Sequence, residues 1–506
     1  MLPPAPITLR RRRAITAGLL LGMALGALEA TVVSTAMPTV IATLGGLAHY
    51  SWVFAAYLLT STASVPIWGR LSDLYGRRRL YLAGILVFLA GSALSGAATS
   101  MSQLIAFRAL QGLGAGAVIP LSMTIIGELY ALDERARTQA LFSGMWGVAS
   151  IAGPLVGGYI TDSLSWRWVF YLNLPLGILA TVVIAAAYPA SPPPATARVD
   201  WPGAALLFGG VTALLIALGD VTDAVLPWLA AAAVLLTVFV IVERRTAHPL
   251  LPLELFGQTI VSRTLFVVFM IGMAMFGAIA FVPLFVQGVL GGTATEAGQV
   301  LTPLFLGWVT TSVVGARLTV RIGYRPVTIA GSALLTAGFV ALSMIDATTT
   351  LTTLLLAVFV LGCGMGLSML STLLAVQHGV DRSMLGLVTS LNQFFRSVGA
   401  AIGVAVMGAI LTRGLSGVAL PGGPPGVSAG AIQLDPATRA QFAHALARVF
   451  AAGGIMSVTG FLACFLLPPV SFSRGVPAGA GGELLAAEMV TLEPKSEPEL
   501  VAADPE

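Results

Sequence analysis

Gly69-Arg70-Leu71-Ser72-Asp73-Leu74-Tyr75-Gly76-Arg77-Arg78-Arg79 joins two apolar runs, residues 50–68 and 80–98. Each run holds close to the ~20 apolar residues that a helix needs to cross a hydrocarbon core. Gly69 and Gly76 permit a tight reversal at the membrane surface. The arginines place the connection on the cytoplasmic side, where basic loop residues collect. Asp73 is positioned to meet a neighbouring helix N-terminus or an arginine. On spacing alone, this is equally a generic basic loop between two membrane spans.

Scanning outward from this pair gives fourteen candidate spans, near 14–38, 50–68, 80–98, 103–127, 138–161, 166–188, 202–219, 225–242, 263–290, 296–316, 326–345, 351–376, 384–412 and 440–468. The first follows Arg10 to Arg13, as a signal peptide would. It contains Glu29 and precedes thirteen further spans, so it reads as a retained helix.

Composition points the same way. The 506 residues include 26 Lys+Arg and 22 Asp+Glu, only 9% charged, with 57% hydrophobic residues and a mean hydropathy of +0.92. A soluble chain carries roughly a quarter charged residues. An ordinary soluble enzyme, a disordered chain and a nucleic-acid binder are excluded, the last despite a pI near 9.3, because the basic residues are too few and too dispersed. Cys363 and Cys464 are far apart with no CxxC, and His49, His248, His378 and His444 form no ligand pattern. No metal or cofactor is therefore expected.

With the N-terminus inside, 20 of the 26 basic residues fall in cytoplasmic segments. Arg167, Arg413, Arg439 and Arg448 fall outside, and Arg108 and Arg396 lie within spans. That split predicts a multi-pass protein of the cell membrane with both termini cytoplasmic.

The spans group as six, two and six. Gly112, Gly114 and Gly116 recur as Gly362, Gly364 and Gly366, and Gly153 recurs as Gly403, all at an offset of 250. The expected architecture is all-α: two six-helix bundles related by pseudo-symmetry, with two inserted linker helices. Residues 1–188 form the first bundle, 189–261 the linker, 262–470 the second bundle, and 471–506 a disordered cytoplasmic tail rich in Pro, Gly, Ala and Glu.

A charge at mid-bilayer is expensive and marks function by default. Glu29, about fifteen residues into the first span and roughly 22 Å from the inner face, is the one carboxylate placed deep in a span. Asp162, Asp220, Asp223, Glu296 and Asp346 fall at outer ends or loops, and Asp73, Glu128, Glu243 and Asp381 at inner ones. Arg108 sits at a depth comparable to Glu29, so the two form a proton-coupling pair or a static bridge. Arg396 lies near mid-depth in the thirteenth span, where it meets either a transported compound or the carbonyls of a helix break. Gln111, Asn392 and Arg396 are the candidate cavity residues; Gln287 and Gln393 are the other in-span amides. Such sparse polarity does not suit a sugar, whereas 16 methionines and 23 phenylalanines suit an adaptable apolar cavity.

Three stretches carry a resemblance. The loop from Gly69 to Arg79, with Gly69, Asp73, Gly76, Arg77 and Arg78, resembles the signature loop of the major facilitator superfamily. Ala316-Arg317-Leu318-Thr319-Val320-Arg321-Ile322-Gly323 is a worn echo of it, with Val320 in place of the acid. Arg108-Ala109-Leu110-Gln111-Gly112-Leu113-Gly114 resembles the superfamily's second motif. Gly147-Val148-Ala149-Ser150-Ile151-Ala152-Gly153-Pro154-Leu155-Val156-Gly157-Gly158 resembles its antiporter motif. Read physically, Gly153 and Gly157 make a small face for close helix contact and Pro154 a kink; tight packing alone would account for both. Leu28 to Pro38 and Trp166 to Gly177 are similar to the fourteen-span drug:proton antiporter family, which usually has Asp where Glu29 stands.

The resemblance implies a proton-driven exporter of hydrophobic or amphiphilic compounds working by alternating access. Its partners would be such small molecules, protons and membrane lipids. The alternative on the same fold is export of a lipid or lipid-linked molecule. Its hint is the last span, where Asp435-Pro436 reads as an N-cap and first turn and extends the helix well beyond a 30 Å core; the extension equally reads, and more simply, as an amphipathic helix lying on the surface. An intramembrane enzyme lacks paired acids or a nucleophile with its base. A channel lacks a filter-like backbone loop.

Overall fold

The computed structural model describes residues 8–130, 132–189, 200–219, 224–246, 251, 253–380, 384–415 and 435–469. The expected tail at 471–506 and the acids Asp220, Asp223 and Asp381 lie outside the described residues. So does the Asp73 side chain.

Within a bilayer every backbone N–H and C=O must be satisfied inside its own segment, and the apolar runs accordingly fold as helices. The first group is α1 (Leu9–Leu44), α2 (Tyr50–Tyr75), α3 (Arg77–Ala97), α4 (Met101–Leu129), α5 (Leu132–Ser163), the short α6 (Arg167–Tyr171) and α7 (Asn173–Ala187). Then come α8 (Trp201–Gly219) and α9 (Val225–Arg245). The second group is α10 (Thr259–Gly288), α11 (Ala294–Ile322), α12 (Tyr324–Ser343), α13 (Leu351–His378), α14 (Leu385–Gly414) and α15 (Pro436–Cys464). Among the described residues, twelve helical stretches are long and apolar enough to cross a membrane: α1, α3, α4, α6 with α7, and α8 to α15. The two remaining long helices, α2 and α5, run for 26 and 32 residues. The sixth expected span breaks at Leu172 into α6 and α7.

Local chemistry sets the ends. Gly76 (φ 91°) and Gly323 (φ 87°) turn α2 into α3 and α11 into α12 through a backbone region that side-chain-bearing residues avoid. Asp435 caps α15 and Pro436 opens it. Hydrogen bonds from the Thr438 side chain and backbone hold the Asp435 carboxyl below its usual range. With 29 residues, α15 is about 44 Å long, shorter than a helix reaching to 468.

Small residues let the helices meet backbone to backbone. A Cβ at Gly114 of α4 would be driven into the backbone N of Phe88 on α3 and lie 2.6 Å from the Gly84 carbonyl. On α13, Gly364 meets Leu335 and Gly331 of α12 in the same way. Gly116 faces Ser61 and Ser64 of α2, and Gly366 faces Trp308 and Thr311 of α11.

The two groups touch along α1 with α10, α5 with α11 and α2 with α14. Gln287 of α10 donates to the Thr35 carbonyl of α1 at 2.8 Å, and the Tyr50 hydroxyl donates to the Ala280 carbonyl. Asp162, at the end of α5, accepts from Ala294 N (3.1 Å), Thr295 N (2.7 Å) and Thr295 Oγ1 (2.5 Å) at the start of α11. Farther along α5, nothing stands within 4 Å of the Cβ position of Gly144. Leu207, Val211 and Leu215 of α8 pack on Ala55 and Leu59 of α2, with Leu391 of α14 in the same core cluster, so the inserted pair lies along the α2–α14 seam.

At the opposite end from Asp162, arginines close two helix C-termini. Arg11 and Arg78 donate to the carbonyls of Ala187 and Ala185 on α7. Arg263 and Arg325 donate to those of Leu466 and Phe465 just past α15. These are carbonyls that helix geometry leaves without an internal donor.

Candidate functional site

Glu29 and Arg108 meet in the core of the first group. Both are 2% exposed, and Arg108 Nη1 donates to Glu29 Oε1. Ion pairs this deep lose hydration that only good geometry and further hydrogen bonds repay, and the surroundings supply them. Arg108 Nη1 also donates to Gln111 Oε1 at 2.7 Å, and Nε to the Val53 carbonyl at 3.3 Å. The guanidinium lies over the Tyr57 ring at 4.3 Å and near the Phe170 ring at 5.8 Å, a favourable place for a desolvated cation.

The second oxygen of Glu29 is occupied as well. Asn173 Nδ2 donates to Oε2 at 2.6 Å and to Ser92 Oγ at 3.0 Å. Gln111 Nε2 donates to Ser92 Oγ at 3.2 Å, and Ser92 in turn donates to the Phe170 carbonyl at 2.8 Å. Helices α1, α2, α3, α4, α6 and α7 thus converge on one carboxylate whose two oxygens face donors.

Gln111 is placed inside this network and is fully enclosed. It stands three residues after Arg108 on one helix, so the two share a face. Asn173, Ser92 and Tyr57 complete the site and were not singled out from sequence. The available signal for Asn173 was an amide within the apolar stretch Trp166 to Gly177.

Arg396 and Asn392 lie elsewhere, in a crevice with Val268 and Ile271 of α10 and Met369 and Thr372 of α13. Arg396 Nη2 donates to Gln393 of its own helix. Of the stretch like the antiporter motif, Gly153 and Gly157 press on Thr31 and Thr35 of α1, two residues or more beyond Glu29. Gly158 meets Ala294 and Thr295, the Pro154 carbonyl meets Gly298, and Gly147 lies nearest Val309, all on α11. The 69–79 stretch, expected as a loop, is helix on both sides of Gly76; in it Arg77 pairs with Glu128 at 2.9 Å and bonds Ser72 Oγ at 2.5 Å. Arg78 caps α7. Gly76 makes the turn, and the Cβ position of Gly69 faces open space.

A bundle of membrane helices with a buried ion pair in one half has the architecture of a membrane carrier. Sequence comparison makes this specific: residues 19–404 match the Major Facilitator Superfamily, and the chain belongs to that family. It is therefore a multi-pass membrane transporter and not an enzyme. It is similar to the multidrug transporter protein MdtP of Bacillus subtilis (strain 168), with 40% identity over 79% of this chain and 75% of that one. It is also similar to multidrug resistance protein 3 of the same organism, with 35% identity over 79% of each chain. Among solved structures it resembles a bacterial homologue of the human lysosomal transporter Spinster, with a TM-score of 0.67 and 16% identity over 91% of this chain and 98% of that one. That likeness speaks for the fold alone.

Proposed function

We propose that the protein is a proton-driven exporter of hydrophobic or amphiphilic compounds, a fourteen-span antiporter of the cell membrane that works by alternating access. The observation that carries this reading is the enclosed Glu29, a carboxylate held by Arg108 and Asn173 in the core of the first group of helices. Loading a proton there breaks at least one of two hydrogen bonds and leaves Arg108 without its counter-ion. The change in net charge is thereby tied to a change in packing between α1, α4 and α7. The two Bacillus relatives, both named for multidrug transport or resistance, support small-molecule export.

Fourteen spans follow if α2 and α5 cross the membrane beside the twelve apolar stretches, and their lengths suffice. The arginine distribution supports cytoplasmic termini. The repeated glycine contacts, Gly114 with Phe88 against Gly364 with Leu335, and Gly116 with Ser61 against Gly366 with Trp308, support two pseudo-symmetric bundles, 1–188 and 262–470, joined through 189–261. In this reading Arg77 and its loop govern cycling, α5 forms the inter-bundle seam with Gly153, Pro154, Gly157 and Gly158, and Asn392 and Arg396 line the substrate path. The contact of Asp162 with α11 closes the outer side in the present conformation.

The test is substrate-dependent proton flux in proteoliposomes, comparing a lipophilic dye with a fluorescent phospholipid. Dye-dependent flux that vanishes in Glu29→Gln is the expected result. Flux with the phospholipid alone selects lipid export instead, and uphill export by Glu29→Gln places coupling elsewhere.

A further inference from the structure

The second group of helices holds a cation, Arg396, whose hydrogen-bond partner is a neutral amide. Arg396 of α14 is half-buried, and the partner found for it is the neutral Oε1 of Gln393, one turn earlier on the same helix. No carboxylate among the described residues pairs with it. Beside it Asn392 is 4% exposed, and its Nδ2 has no hydrogen-bond partner. Both line one narrow crevice, closed to water-sized molecules in this conformation, whose other walls are Val268 and Ile271 of α10 and Met369 and Thr372 of α13. The Thr372 hydroxyl already donates to the carbonyls of its own helix, to Ser368 at 2.8 Å and Met369 at 3.0 Å.

The contrast with the first bundle is chemical. There, each donor of Arg108 that contacts an acceptor is met from within the protein, and its charge is matched by Glu29. Around Arg396 the surplus is of donors: a planar guanidinium fork and a buried amide N–H₂, facing aliphatic and thioether groups. Buried donors without acceptors are costly and, in native proteins, call for an explanation. A guanidinium beside an amide matches a carboxylate, sulfonate or phosphate, which guanidinium recognises through paired hydrogen bonds. The aliphatic side chains and Met369 suit an apolar body attached to that group.

We propose that the Asn392–Arg396 crevice between α10, α13 and α14 is a subsite for the anionic or strongly accepting group of an exported amphiphile. The proposal rests on the export reading and adds a charge preference to it: anionic and zwitterionic amphiphiles are held better than cationic ones. The first bundle then handles the proton and the second reads the compound.

Dansylglycine and dansylcadaverine carry the same fluorophore on a carboxylate and on an ammonium. Purified protein in detergent is titrated with each, and the same pair is tested for proton flux in proteoliposomes. Wild type should bind dansylglycine, and Arg396→Gln should weaken it roughly tenfold or more, the scale of one lost charge-assisted hydrogen bond, with dansylcadaverine changed less than about twofold. Arg396→Lys, which keeps the charge but not the fork, should retain part of the affinity. Asn392→Leu, of similar size and without the donor, should weaken dansylglycine several-fold and serves if the arginine variants do not fold. Equal losses for both probes, or no binding of dansylglycine by wild type, overturn the subsite. Proton flux with dansylcadaverine but no dansylglycine binding overturns the subsite and leaves export standing. Dansylglycine binding lost in Arg396→Gln, with no proton flux for either probe, supports the subsite and counts against proton-driven export.

Discussion

Replacing Asp162 with alanine should open the outer side of the protein. The carboxylate ends α5 and takes three hydrogen bonds from the first turn of α11, at 3.1, 2.7 and 2.5 Å. Helix α11 has a cap of its own, since Thr293 and Glu296 form a reciprocal capping box, so the loss falls on the contact between bundles and spares the helix. A side-chain cap is worth about 0.5–2 kcal/mol, and an acid at a helix N-terminus adds about 0.3–1 kcal/mol. Asp162 is exposed, so water and salt take back part of both. A net of about 1–2 kcal/mol remains, which shifts the ratio of outside-closed to outside-open protein roughly fivefold to thirtyfold. Spin labels at Ser163→Cys and Gln299→Cys, in a background lacking Cys363 and Cys464, report the separation of the two helix ends by double electron–electron resonance. Asp162→Ala should move population to the longer distance, and Asp162→Asn, which keeps one accepting oxygen, should fall between. An unchanged distance distribution in folded Asp162→Ala protein would refute the latch.

Arg108→Leu should destabilise the protein by about 3–5 kcal/mol by stranding Glu29, and the double variant Glu29→Leu/Arg108→Leu should recover much of that loss in thermal unfolding; additive losses would mean the pair is not coupled. Gly114→Val should abolish folded protein, because its side chain is driven into the Phe88 backbone, whereas Gly144→Ala, with nothing within 4 Å of the new Cβ, should be neutral or gain about 0.5–1 kcal/mol; detergent-solubilised yield and unfolding midpoints separate the two. Truncation after Arg474 should leave proton-coupled export intact at equal expression, since the sequence of the removed segment carries no apolar period.

Helix positions were legible because a bilayer imposes one length and one hydrophobic run per helix. The fourth expected span, 103–127, is α4 Met101–Leu129, and the thirteenth, 384–412, is α14 Leu385–Gly414. The ion pair was legible from two charges at matching depth. Its completion was not. Asn173 lies 144 residues from Glu29, and a neutral amide in an apolar stretch carries no depth signal of its own. The contact of Gln111 with Arg108 is readable, since a spacing of three puts the two on one helix face. The Asp162 contact with α11 joins residues 132 or more apart, where no periodicity reaches.

The arginines that fasten α7 and α15 give the protein a criterion for completeness during synthesis. Chains emerge N-terminus first and fold in that order. Arg11 and Arg78 are in place before α7 exists, and Arg263 and Arg325 before α15 does. In each half the last helix to arrive finds two waiting donors for its open carbonyls. Arginines early in each group of helices therefore meet the end of the helix that completes it.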